Sequence, residues 1–323
     1  MRGWLVYSEE RLQRNQEYVR MHEQWCASQG IGLTLVLAEQ VTYGMGPAGV
    51  RFCVANKPVA IPNFCVFRCE EADLRRALEL CGVVVSNGSY VGRVANDKLR
   101  TYELVHALGV PYPEVLSVGM PAWRELEYPV VAKPRYGHGG EGVRLILNPD
   151  ELEEYARRGS EGARSASLPR CADDGMAQSD RSWIVQRVAP VVGKDVRVYM
   201  LGKEVLAAML RTAPEGAFLS NFCRGGSAAV YELSAQERDV ALRIAQALGD
   251  GYYGIDFLFD GDGGLLLNEV EDVVGSRMLY EHTALDVVGR HLSYVTERCR
   301  MRGDVRSHGH VDGGGDCHAR EHG

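Results

Sequence analysis

Apolar positions along the chain fall in short runs separated by amphipathic stretches, the pattern of strands alternating with helices. Residues 3–7 (GWLVY) read as a first strand. Residues 11–29 are polar but carry Leu12, Tyr18, Val19, Met21, Trp25 and Cys26 along a helix that Gly30 ends. Residues 31–37 (IGLTLVL) are a second strand, a loop or hairpin region follows, and residues 64–67 are a third strand. A helix over 71–80, stopped by Gly82, leads into a buried strand over 83–85. This order predicts an open α/β sheet ending near residue 93.

Asn96 starts a new unit. A helix over 97–108 ends at Gly109, and residues 128–134 (YPVVAKP) form a strand. That strand runs into the loop Gly137-His138-Gly139-Gly140-Glu141-Gly142, with a return strand over 143–147 and a helix to Arg157. Residues 159–181 are small and polar, without apolar periodicity, and read as a mobile insert. A strand over 183–188 follows, then a hairpin of 196–201 with 204–211 and an amphipathic helix over 235–247. A second hairpin pairs 254–259 with 265–270 about a five-residue turn, and the last helix covers 283–297. Residues 303–323, rich in Gly and His, read as a disordered tail. The expected units are 1–95, 96–188, 189–302 and the tail.

Composition narrows the class. The chain has 323 residues, 46% hydrophobic and 24% charged, enough to bury a core without staples. Its net charge of −7 gives no bulk attraction to nucleic acid or an anionic membrane. No apolar run approaches the ~20 residues of a membrane span, and no secretory leader is expected. The nine cysteines are odd in number and lack paired spacing, so free thiols in a cytoplasmic setting are expected. Only five of the 36 basic residues are lysines: Lys57, Lys98, Lys133, Lys194 and Lys203. That scarcity gives weight to a lysine standing where chemistry wants one.

Three segments carry candidate chemistry. Lys133 ends a strand before a loop of four glycines, where backbone N–H groups can close over phosphates and the lysine supplies a point charge; a flexible hairpin is the alternative. Asp256 lies in YYGIDFLF, and Glu269 and Glu271 share a face of the next strand. The short turn makes Asp256 and Glu269 cross-strand neighbours. Three carboxylates so placed would repel one another unless a hard divalent cation, magnesium or manganese, compensates them; a solvated edge is the alternative. Arg211 with Asn221, Arg224 and two glycines suits an anion or a spread negative charge, or is a solvated loop.

Together these segments resemble the ATP-grasp superfamily, specifically its RimK-like carboxylate–amine ligases, over roughly residues 64–295. The resemblance is carried by VVAKPRYGHGGEGVRL, IVQRV…GKDVRVYMLGKEVLAAMLR, GAFLSNFCRGGSAA, GIDFLF…LLLNEVE and NDKLRTYELVHALGVPYP. It implies an open α/β domain followed by two α+β subdomains that hold ATP between them. Lys98 and Lys133 would contact phosphates, with Gly139 and Gly140 in the lid above them. Gln186, Arg187 and Val188 would meet adenine, largely through backbone groups, and Asp195 would accept from the ribose. Arg211 would steady the transferred phosphoryl group, with Asn221 and Arg224 near the acylphosphate. Asp256 and Glu269 would hold magnesium, or manganese in its place.

Two departures stand out. The family's usual Glu-x-Asn is here Glu269-Val270-Glu271, and Asp272–Arg277 replace the usual Asn-x-Ser-Pro-Gly run. Glu271 is read as a third metal ligand, the alternative being a pair with Arg277. The resemblance implies a ligase that joins a small-molecule or peptide carboxylate to an amine through an acylphosphate, with no nucleic acid or membrane partner. A phosphotransferase without an amine step, a nucleotide-binding module without turnover, and an assembly of identical chains all stay open.

Overall fold

In the computed structural model, residues 1–47, 49–118, 123–137, 139–163, 183–214 and 226–308 are described. Strand β1 (Arg2–Tyr7) lies parallel to both β2 (Gly32–Leu37) and β6 (Phe64–Arg68), and β7 (Val84–Ser86) extends the sheet. The order β2-β1-β6-β7 places the change of winding direction between β1 and β6. The helix expected over 11–29 is two helices, α1 (Glu9–Arg14) and α2 (Gln16–Ser28). The chain turns at Asn15, whose side chain donates to the Arg11 carbonyl. Only α2 buries residues, Val19, His22 and Cys26, so the two halves face different surroundings.

The loop or hairpin region is a small antiparallel sheet of β3 (Val41–Gly46), β4 (Gly49–Val54) and β5 (Lys57–Val59). Ala55 and Asn56, at φ 47° and 62°, make the tight turn between β4 and β5. Helix α3 (Ala72–Leu80) follows β6, and α4 (Ser89–Ala95) lies where the sequence suggested only the end of a unit. Helix α5 (Lys98–Ala107) starts at an Asp97 cap that accepts from Leu99 N at 3.1 Å.

A second sheet has the order β10-β9-β11-β8, from β8 (Val115–Val118), β9 (Val130–Pro134), β10 (Arg144–Ile146) and β11 (Trp183–Arg187). Helix α6 (Pro149–Ala163) packs on it through Leu152 and Ala156 and runs past Arg157 into the segment expected to be a polar insert. Residues 164–182 of that segment lie outside the described residues.

The third sheet is antiparallel, in the order β14-β13-β12-β15-β16. Its strands are β12 (Lys194–Leu201), β13 (Glu204–Thr212), β14 (Ser227–Val230), β15 (Tyr252–Phe259) and β16 (Leu265–Glu271). Helix α7 (Ala235–Leu248) opens with a Ser234/Glu237 capping box and packs with α5 on this sheet around Val198, Ile255 and Phe257. After it come α8 (Arg277–His282) and α9 (Val287–His308), where the sequence suggested one helix over 283–297. Val288, Leu292 and Val295 of α9 pack into the first sheet's core, so the chain's last helix completes its first layer. It also continues to His308, into the segment expected to be a disordered tail; residues 309–323 lie outside the described residues.

Candidate active site

A cleft opens between the second and third sheets. Lys133, next to last in β9, is 3% exposed. Its Nζ donates to the Tyr102 hydroxyl at 2.6 Å and to Asn268 Oδ1 at 3.3 Å. Tyr102 stands four residues after Lys98 on α5, one helical turn along the same face. Its hydroxyl also reaches Gln186 Oε1 at 2.9 Å and the Asn268 carbonyl at 3.0 Å. Burial pulls the Lys133 ammonium down to about 7, against the pull of Glu269 and with the push of Lys98. Lys98 Nζ donates to the Gly137 carbonyl at 2.7 Å and lies 3.7 Å from Glu269 Oε2. Both lysines therefore converge on Glu269 at one end of the cleft. Arg135, just after β9, grips the carboxylate of Asp97, the cap of α5, at 2.7 and 2.6 Å and so ties the two lysines' elements together.

Gly137, Gly139, Gly140 and Gly142 all have positive φ, between 67° and 109°, a backbone that other residues resist. Gly140 faces the cleft. The lining also includes apolar side chains, Val131, Val143, Val188, Val191, Val192 and Leu258. Gln186 and Val188 line the cleft, whereas the Arg187 side chain turns outward to Glu114 at 2.6 Å and Glu127 at 3.1 Å.

The third sheet's register builds the charged floor. Asp195 opposes Arg211, Arg197 opposes Asp256, and Asp256 opposes Glu269, all on one face. A bulge between Asp256 and Phe257 leaves Asn268 without a partner and lets Leu267 enter the core while both Asn268 and Glu269 reach the cleft. Asp256 is fully buried and held by three charge-assisted bonds of 2.7 Å, two from Arg197 and one from Arg211. Burial pushes the Asp256 carboxyl up, but the two guanidinium groups outweigh it and hold it at about 2. Arg211 also grips Asp195, with Nη2 at 2.9 Å from Oδ2. Glu271 pairs with Arg197 rather than Arg277, and burial raises its carboxyl above the usual range.

The structure thus brings Lys98, Lys133, Gly140, Gln186, Val188, Asp195, Arg211 and Glu269 to one cleft. The repulsion among Asp256, Glu269 and Glu271 is relieved in this arrangement by arginine and lysine groups. Among the described residues no three His, Cys, Asp or Glu side chains stand together as a metal cage. Magnesium, however, characteristically takes one or two carboxylates together with phosphates and water. Glu269, facing the cleft beside two lysines, with Asp256 opposite, fits that use. Asn221 and Arg224 lie outside the described residues. Sequence reading missed Tyr102, Asn268 and Arg197. The i,i+4 spacing from Lys98 and the i,i+2 spacing from Asp195 were the available signals for Tyr102 and Arg197. No helix among the described residues is long and apolar enough to cross a membrane.

Comparison with known proteins gives a consistent result. Residues 96–295 match the family model of the RimK-like ATP-grasp domain. The chain is 29% identical over 242 residues to the protein named probable alpha-L-glutamate ligase of Nitrosococcus oceani, a match covering 72% of this chain and 74% of that one. It is 25% identical over 289 residues to N-acetylaspartylglutamate synthase A of Mus musculus, covering 84% and 71%. The crystal structure of a RimK domain ATP-grasp protein from Sphaerobacter thermophilus superposes with a TM-score of 0.65 at 21% identity, over 92% of this chain and all of that one.

Proposed function

The chain belongs to the RimK-like ATP-grasp family and is an ATP-dependent carboxylate–amine ligase; we propose that the cleft of Lys98, Lys133 and Glu269 is where it activates the carboxylate. The observation that carries this assignment is the convergence of two of the chain's five lysines on Glu269, in a cleft that is also lined by apolar side chains. Such a cleft offers charge to phosphates and apolar contact to a base.

In this reading Lys98 and Lys133 hold the phosphates, the loop of Gly139 and Gly140 covers them, and the segment Gln186–Val188 borders adenine. Asp195 fixes Arg211 and lies within reach of the ribose. A substrate carboxylate oxygen attacks the γ-phosphorus, the bond to ADP breaks, and an acylphosphate forms. An amine then attacks the acyl carbon, and phosphate and a proton leave as the amide forms. Arg211 steadies the phosphoryl group through both steps, and Asn221 and Arg224 are assigned to the acylphosphate. Magnesium, held by Glu269 with Asp256 and Glu271, would neutralise charge on the transferring phosphoryl. A closed loop excludes water, which would otherwise hydrolyse the acylphosphate.

The substrates are proposed to be an amino acid or peptide carboxylate and an amino acid amine; relatives above are named as an alpha-L-glutamate ligase and an N-acetylaspartylglutamate synthase. The test is ADP release across a panel of such pairs with magnesium and ATP, with mass analysis of the product. An amide product with one ADP per bond is expected. A phosphorylated product without an amide would point to a phosphotransferase, and ADP release with neither product would remove the ligase assignment.

A further inference from the structure

The first sheet ends at β7, whose outer edge has no strand neighbour among the described residues. Val84 N–H donates to the Asn63 carbonyl on the β6 side, so Val85 N–H and C=O point away from β6. A cavity of about 470 Å³ opens along this edge, a volume in the range of small-molecule sites. It shares no lining residue with the nucleotide cleft.

Helices cover the two faces of the sheet here. Helix α3 packs with Phe67 and Val85 on one face, and α9 packs with Val66 and Val84 on the other. Each side brings two guanidinium groups and one carboxylate to the cavity. From the α3 side come Arg76, Glu79 and, on α4, Arg93; from the α9 side come Arg298 and Arg302, with Asp250 beside them. Both carboxylates are engaged on their own side. Glu79 accepts from Ser89 N at 2.7 Å and Ser89 Oγ at 2.6 Å, and lies 3.6 Å from Arg76. Asp250 pairs with Arg298 and accepts from the Tyr294 hydroxyl at 2.8 Å. Among the described residues neither Arg93 nor Arg302 meets a carboxylate. Arg93 donates to Ser89 Oγ at 3.3 Å and Arg302 to the Val83 carbonyl at 3.5 Å, both long bonds that a stronger acceptor would displace.

One guanidinium is therefore in surplus on each side, and the two flank the β7 edge from opposite faces. A ligand with one anionic group answers one of them, and a ligand with two answers both. Val85 adds a main-chain donor and acceptor between them. A three-residue edge is too short to hold an added strand, which favours a small molecule over a peptide. The wall is also fixed in advance. Asn87, next to Ser86 of β7, donates to the Tyr252 carbonyl at 2.8 Å and the Asp272 carbonyl at 2.6 Å.

We propose that this cavity is a second ligand site, for a small organic dianion with a carboxylate or phosphate at each end of a short carbon spacer. Arg93 receives one end and Arg302 the other, while Val85, Val91 and Val295 along the cavity accept the spacer.

Titration calorimetry on the full chain tests this, with magnesium-ADP at saturation to fill the nucleotide cleft. The probes are glutarate and ethylene glycol bisphosphate. Their controls, glutaramate and ethyl phosphate, keep one anionic end. Wild-type protein is expected to bind at least one dianion saturably, and at least about tenfold more tightly than its control, the scale of one charged hydrogen-bonding contact. Whichever dianion binds more tightly identifies the anionic group. Arg93→Gln and Arg302→Gln should each bring the dianion down to the affinity of its control, with an unchanged melting temperature in the absence of ligand. Failure of both dianions to bind wild-type protein would overturn the proposal. So would equal affinity for a dianion and its control, or dianion affinity unchanged in either variant.

Discussion

Binding of magnesium-ATP at pH 8 is expected to draw a proton onto Lys133. Burial holds this ammonium down at about 7, so the ligand-free site is largely neutral at pH 8. Only about one-tenth of the molecules carry the charge there. Phosphate oxygens beside Nζ favour the charged form and raise its pKa again. ATP brings no proton of its own, since the last phosphate proton leaves near pH ~6. The expected uptake is therefore about 0.9 proton per nucleotide at pH 8 and about 0.5 at pH 7. Affinity should weaken as pH rises above 7, by up to about tenfold per unit. Titration calorimetry in buffers of low and high ionisation enthalpy reads the proton number directly. Lys133→Arg keeps a permanent charge and should bind without uptake, though less tightly than wild type, because a planar fork replaces a compact ammonium. Lys133→Ala should bind more weakly still, by about 10- to 100-fold, and without uptake. Stability carries the matching sign. The unfolded chain holds this proton up to its ordinary range near 10.5, so this residue's contribution is full above that pH and is lost as pH falls towards 7. Equal proton uptake in wild type and both variants would refute the role given to Lys133.

Further predictions concern Glu271 and the Asp272–Arg75 pair beside it. Glu271→Asn should keep magnesium-dependent turnover, and Glu271→Ala should raise the magnesium concentration needed by about tenfold. Arg277→Ala should leave it unchanged, because Glu271 pairs with Arg197; unchanged magnesium dependence in Glu271→Ala would exclude ligation. Asp272 and the fully buried Arg75, 2.8 Å apart, join α3 to the end of β16. Asp272→Leu should lower the melting temperature by about 10 °C by stranding a buried guanidinium, and Asp272→Leu/Arg75→Leu should recover part of the loss. Gly92→Ala should destabilise in the same direction, since its Cβ would stand 2.6 Å from Arg75 Nη1. Melting curves indistinguishable from wild type would count against the clamp.

The elements that sequence reading located are those with strong contrast between faces. Helix α7 has a capping box and four buried residues on one side, and its expected limits differ from the observed ones by a single residue. Helix α4 had little of that contrast: Ser89, Val91, Gly92, Val94 and Ala95 are all buried, and in SYVGRVA only Tyr90 and Arg93 are exposed, too few to mark a period. The sheet of β3, β4 and β5 failed for the opposite reason. Strand β3 is exposed along almost its whole length, so little alternation was written into it. The α1–α2 break turns on Asn15, whose side-chain bond to Arg11 is a local choice that periodicity does not record.

The active site was legible where chemistry sits at the end of one element and illegible where it depends on register between several. Lys133 and Lys98 stood out because lysine is scarce and each lies at an element boundary. That Asp256 is met by Arg197, 59 residues away, depends on how β12 aligns with β15. The pairing of β15 with β16 adds a second layer. Leu267 and Glu269 are two residues apart and would share a face on a regular strand. Yet Leu267 is buried in the core and Glu269 opens on the cleft. Inserting Asn268 as the extra residue resolves the conflict, because a bulge reverses the alternation beyond it. The same residue then supplies a carbonyl to Tyr102 and a side-chain oxygen to Lys133. A single irregularity in one strand therefore keeps the core apolar, turns Glu269 to the cleft, and seats the buried Lys133.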